Sequence, residues 1–221
     1  MVGMNAHRPM IFGLRYKGRI ISILLVISLY IFWSVYTYSF QGSLPKLDEP
    51  RFWVTLFVSI LEGVLAWWIG KRFDLVRFYA ERDCLTGAYN RRWVYTHFYK
   101  YVHHLHQGKH TRVTLVDLND FKYINDHYGH EMGDFVLTEI AGILNERITG
   151  NGVVSRWGGD EFLMIEVLSG HSTTEANEIE TFVLSNGLEV SGAKGIVYCY
   201  DGNCDLDQLV SEADKKMYEH K

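Results

Sequence analysis

The chain has 221 residues, with 22 Lys and Arg against 26 Asp and Glu, a net charge of −4 and 48% hydrophobic residues. An acidic balance argues against a general nucleic-acid binder, which is usually basic. The apolar content is enough for one large domain, or for a domain plus a smaller region. The three cysteines, Cys84, Cys199 and Cys204, are too few and too scattered for a disulfide framework or a four-cysteine zinc site. Cys199 and Cys204 could close a small loop if oxidised, but they read as reduced, partly buried thiols that suit a reducing cytosolic compartment.

In chain order, residues 1–19 form a basic segment with Arg8, Arg15, Lys17 and Arg19. Residues 20–40, IISILLVISLYIFWSVYTYSF, carry no charge and span about 30 Å as a helix, the thickness of a bilayer core. A short loop over 41–51 leads to a second predicted span at 52–69, which carries Glu62 inside it and Trp53, Trp67 and Trp68 at its ends. The run is too long for a signal peptide and a second span follows it. Lys71, Arg72 and Arg77 follow the second span, so the positive-inside rule places both ends in the cytoplasm. Ser59 and Gly63 have the spacing that brings membrane helices together, and Glu62 reads as a protonated structural residue or a sensing group.

Residues 70–82 continue as a helical linker with Phe73, Val76, Tyr79 and Ala80 on one face, a pattern that could pair in a dimer. The turn formers DCLTGAYN end at Asn90, a plausible N-cap for a helix over 91–106. His97, His103, His104, His106 and His110 spread around that region without converging, which reads as a solvated face more than a metal site. RVTLVD at 112–117 reads as a buried strand ending in Asp117. A helix starts near Asn119, breaks at 128–130 and resumes over 131–148. Strands on either side of 158–161 predict a hairpin, in which Gly158 and Gly159 would supply the positive φ of a tight turn. A helix over about 173–185, a strand near 188–199 and a final helix from about 205 complete the order. The prediction is an α/β layered fold: a mostly antiparallel central sheet flanked by helices and preceded by two transmembrane helices.

Asp117 at a central strand end should face Asp160 and Glu161 at the hairpin tip. Such carboxylates repel one another without a cation, and hard oxygens of this kind suit Mg2+ (or Mn2+) with a phosphate substrate. Glycines at 158 and 159 would let a nucleotide approach the backbone. Lys122 and the N-terminus of its helix are near enough to meet phosphate oxygens.

Four blocks, DCLTGAYNRR at 83–92, DLNDFKYINDHYGHEMGD at 117–134, GGDEF at 158–162 and EADKKMY at 212–218, make residues 83–221 resemble the GGDEF family of diguanylate cyclases. The resemblance implies a nucleotidyl-cyclase-like fold that condenses two GTP into cyclic di-GMP and two pyrophosphates at a homodimer interface. It implies metal ligation by Asp117, Asp160 and the Leu118 carbonyl. Glu161 would help deprotonate the attacking hydroxyl or support a second metal. Asn125 and Asp134 would read guanine, His130 would contact substrate, and Lys122 and Lys221 would bind phosphate. The whole is expected to be a multi-pass signalling protein of the inner (cytoplasmic) membrane. Its partners would be GTP, a second copy and the lipid bilayer, with no nucleic acid.

The chain departs from the family pattern in several places. Thr149, Gly150, Asn151 and Gly152 stand where an inhibitory Arg-x-x-Asp belongs, so product feedback there is expected to be absent. Ala193 replaces a usual serine, and the sequence ends at Lys221, ahead of a usual Gly-Arg-Asn and last strand. The competing expectation is a catalytically silent domain that binds GTP or a protein partner.

Overall fold

A computed structural model describes residues 16–42, 46, 48–102, 109–148, 151–169, 179–200 and 204–219. The chain divides into two compact units, residues 1–80 and 81–221.

The first unit contains α1 (Lys17–Gln41) and most of α2 (Pro50–Glu81), so the second predicted span and the linker form one unbroken helix. Both helices are long and apolar enough to cross a membrane, and their large side chains are mostly exposed. Within the chain they meet at Gly70, not at Gly63. A Cβ on Gly70 would lie 2.6 Å from Arg19 Cα, whereas one on Gly63 would meet nothing within 4 Å. Close approach lets Asp74 Oδ1 accept from the Gly18 amide at 2.7 Å, which satisfies one of the amides left free at the start of α1.

The second unit contains β1 (Tyr89–Asn90), α3 (Arg91–Val102), β2 (Lys109–Leu118), α4 (Phe121–Tyr128) and α5 (His130–Arg147). β3 (Asn151–Gly158), β4 (Glu161–Ser169), β5 (Ile179–Val183), β6 (Glu189–Cys199) and α6 (Leu206–Tyr218) follow. The six strands lie in the order β1-β3-β4-β2-β6-β5, with β1 parallel to β3 and every other pair antiparallel. β2 is central and covered on both faces. This explains why residues 110–116 are buried without interruption instead of alternating.

Period-two alternation sorts the core into two layers. Val113, Leu115, Leu163 and Ile165 pack with Val94 and Phe98 of α3 and with Leu209, Ala213 and Met217 of α6. Val116, Leu118, Phe162 and Met164 face the other way, against Ile124 of α4 and Val136, Ile140 and Leu144 of α5. Asn90 caps α3 as its sequence suggests, accepting from the Trp93 amide at 2.9 Å.

Two expectations for the segment after β4 fail. The helix predicted over 173–185 is overturned at 179–183, where β5 pairs with β6; residues 173–178 lie outside the described residues. Phe182 is fully buried while its neighbours are not, as befits an edge strand, and Asn186-Gly187 makes the return turn with Gly187 at φ 82°. Cys199 and Cys204 are paired in a disulfide, not free thiols, because the end of β6 brings them together at a Cα–Cα distance of 6.1 Å. The predicted continuation of α3 to residue 106, with His103, His104 and His106, also lies outside the described residues.

Candidate active site

The site is built from strand ends. Antiparallel pairing puts Asp117 of β2 opposite Glu161 of β4, and the Leu118 amide donates to the Asp160 carbonyl at 3.3 Å. Asp117, Leu118, Asp160 and Glu161 are therefore gathered at one end of the sheet. Asn119 ties the exit of β2 to β6, with its amide on the Ser191 carbonyl at 2.8 Å and its side-chain Nδ2 on Ser191 Oγ at 3.1 Å. Asp120 then turns the chain into α4 at φ 54°, a left-handed conformation that Asp tolerates better than most residues.

The hairpin tip departs from the expected geometry: neither Gly158 nor Gly159 has a positive φ. The turn is shaped instead by a β-bulge between the pairs Arg156–Phe162 and Gly158–Glu161, which leaves Trp157 as the extra residue. The two glycines differ in what surrounds them. A Cβ on Gly158 would lie 2.8 Å from Glu161 Oε2, and one on Gly159 would project into open space.

Arg156 clamps this tip. Its Nε and Nη2 donate to the Gly159 carbonyl at 3.0 and 2.7 Å, and its Nη1 donates to Asp83 Oδ1 and Oδ2 at 3.1 and 3.3 Å. Asp83 in turn organises the 83–88 turn, accepting from the Thr86 amide at 2.9 Å and the Thr86 hydroxyl at 2.8 Å. Burial alone would raise the Asp83 carboxyl, but the Thr86 bonds and Arg156 outweigh it and hold the group below its ordinary value.

Glu161 is shifted the opposite way. Burial raises its carboxyl most, and Asp117, Asp160 and Asp214 add to the rise, with Arg91 opposing. Asp214 on α6 and Arg91 on α3 were not singled out in sequence. Both stand inside the recognised blocks EADKKMY and DCLTGAYNRR, so those blocks held the signal.

The remaining predicted residues line the α4–α5 side. Lys122 and Asn125 are three apart on α4, His130 and Asp134 four apart on α5, and each pair shares a helix face. Asn125 is half-buried and lies against Gly133, where a Cβ would overlap its Oδ1. Lys122, His130 and Asp134 are exposed. Lys221 lies outside the described residues. A side chain at 152, one of the positions of the missing inhibitory motif, would crowd Ile148 and Glu166 at 2.7 and 2.9 Å.

Among the described residues, no three His, Cys, Asp or Glu side chains close around one point. An open donor set is what Mg2+ uses when phosphates and water complete its shell, so the carboxylates and carbonyl at this sheet end fit such an ion.

A family model described as "Diguanylate cyclase, GGDEF domain" matches residues 80–221. The chain belongs to the GGDEF family. It is similar to the diguanylate cyclase DosC of Escherichia coli K12, at 28% identity over 62% of this chain and 32% of that protein. It also resembles the signaling protein YkoW of Bacillus subtilis 168, at 34% identity over 64% of this chain and 19% of that one. The chain thus spans about a third or less of these curated relatives. In fold it matches the coiled coil and GGDEF domain of DgcB from Caulobacter crescentus, with a TM-score of 0.57 and 17% identity over 76% of this chain and 92% of that one. A microbial GGDEF domain described in its interaction with cyclic di-GMP matches with a TM-score of 0.52 and 24% identity over 65% of this chain and 92% of that one.

Proposed function

We propose that this protein is a membrane-anchored diguanylate cyclase that joins two GTP molecules into cyclic di-GMP and releases two pyrophosphates. The observation that carries the reading is the pairing of Asp117 with Glu161 at the tip of an intact GGDEF hairpin, with Asp160 held beside Leu118. Asp117, Asp160 and the Leu118 carbonyl would hold Mg2+, which when bound would neutralise charge on the phosphates. Glu161, whose carboxyl is raised first by burial and then by its acidic neighbours, takes in its ionised form the proton of the attacking 3′-hydroxyl or supports a second ion. Asn125 and Asp134 present an amide and a carboxylate to the guanine edge, His130 contacts the nucleotide, and Lys122 and Lys221 bind phosphate. Gly159 leaves the tip open to the nucleotide, and Gly158 leaves room for the Glu161 carboxylate.

One domain holds one nucleotide, so catalysis requires two domains face to face, and most of the acceleration comes from positioning. The helices α1 and α2 anchor the protein in the inner membrane with the GGDEF domain in the cytoplasm, in line with the basic residues at both ends. Incubating the membrane-embedded protein with GTP and Mg2+ is expected to yield cyclic di-GMP, and Asp160→Ala to lower the rate at least about a hundredfold. No product from a folded dimer would sink the enzyme reading, and equal product from the variant would sink the site.

A further inference from the structure

The first turn of α3 carries a cation to which the reading above gives no task. Tyr89 and Asn90 pair in parallel with Ser155 and Arg156, and Arg91 follows at once, so strand pairing seats it beside Trp157. Its guanidinium lies over the Trp157 ring, 4.5 Å from the centroid, and its Nη2 donates to Tyr95 Oη at 3.4 Å. Tyr95 stacks on Trp157 with centroids 5.5 Å apart and donates to Asp207 Oδ1 at 2.6 Å, so the platform is braced from α6 as well. Trp157 is 7% exposed and sits at the bulge that shapes the hairpin tip. Arg91 itself is exposed, and among the described residues no carboxylate forms an ion pair with it. A guanidinium fixed on aromatic rings with unused donors has already given up much of the freedom that anion binding costs.

The layers say which anion. Asp117 and Glu161 share the strand parity that faces α3 and α6, whereas Asn125 and Asp134 stand on α4 and α5 across the sheet. A nucleotide whose base lies toward α4 and α5, and whose reacting phosphate sits at the strand ends, directs its outer phosphates toward α3 and α6. Arg91 also lies close enough for its charge to act on Glu161.

We infer that Arg91, clamped by Trp157 and Tyr95, binds the β- and γ-phosphates of the GTP held by its own domain and the pyrophosphate that leaves. This rests on the GTP-condensing reading and adds a phosphate-binding residue to it. The test is equilibrium binding of GTP and of GMP, each with Mg2+, to the full chain in lipid nanodiscs. Arg91→Gln is expected to weaken GTP about tenfold to a hundredfold and to leave GMP unchanged, since only GTP carries the outer phosphates. Arg91→Lys keeps the charge without the planar fork, so a severalfold loss for GTP alone is expected; it replaces Arg91→Gln if that variant loses its cooperative melt. Unchanged GTP affinity in the folded variant, or equal losses for GTP and GMP, would overturn the assignment. Failure of the wild-type protein to bind GTP would overturn the cyclase reading itself, a distinguishable result.

Discussion

A Cβ added at Gly158 would come within 2.8 Å of Glu161 Oε2, whereas one added at Gly159 would meet no atom within 4 Å. The atom displaced by Gly158→Ala is the end of a flexible side chain, so the fold should tolerate it while the carboxylate moves. Cyclic di-GMP synthesis is expected to fall about tenfold or more with an unchanged melting temperature, measured by product assay and thermal denaturation. In the same cluster, Asp214 helps to raise the Glu161 carboxyl, after burial, Asp117 and Asp160. Asp214→Asn removes a like charge, and NMR titration of Glu161 should show it ionising at lower pH than in the unaltered protein. A raised carboxyl favours folding below the ordinary carboxylate range, and this contribution is lost as pH rises through the elevated value. Asp214→Asn therefore narrows that dependence.

At the scale of elements, α6 lies against β6 at Gly195, where a Cβ would overlap the Ala213 carbonyl oxygen and come within 2.9 Å of the Met217 amide. Backbone cannot swing away as a side chain can, so Gly195→Ala is expected to destabilise the domain by about 1–3 kcal/mol, read by denaturant unfolding. The 83–88 turn is held to the hairpin by the Asp83–Arg156 pair, both side chains about four-fifths shielded. Because Asp83 is held below its ordinary value, its contribution is present in full above the ordinary carboxylate range and is lost as pH falls through the lowered value. Asp83→Asn should thus lower the melting temperature near neutral pH, with the gap to the unaltered protein closing in acid.

At the scale of the whole molecule, Cys84 is an exposed free thiol at the start of the GGDEF domain, and Cys199 and Cys204 are paired with each other. If both ends of the chain are cytoplasmic, a membrane-impermeant maleimide should label Cys84 in inside-out vesicles and leave it untouched in right-side-out vesicles. The opposite pattern would reverse the proposed orientation.

Much of this was legible in the sequence because local chemistry carried it. The uncharged run at 20–40 reads as a long apolar helix from composition, Asn90 as a cap from side-chain chemistry, and the strand ending in Asp117 from its apolar run. The gathering of Asp117, Asp160 and Glu161 followed once two strands ended in acids and one pairing was assumed. Other features depend on atoms distant in sequence. β5 reads as helix in the sequence because a five-residue edge strand is too short for its period to show, and its pairing with β6 decides its state. Neither glycine at the tip takes a positive φ, since the bulge at Trp157 shapes the turn. The Arg156 clamp on Asp83, 73 residues away, and the seat of Arg91 on Trp157 exist only when β1 lies beside β3. The sequence by itself determined the family, the two apolar helices and the acids at the strand ends, because each is written in adjacent residues. Only the tertiary structure decided which cations and carboxylates surround Glu161, because charge interactions act across space between strands and helices that are distant in sequence.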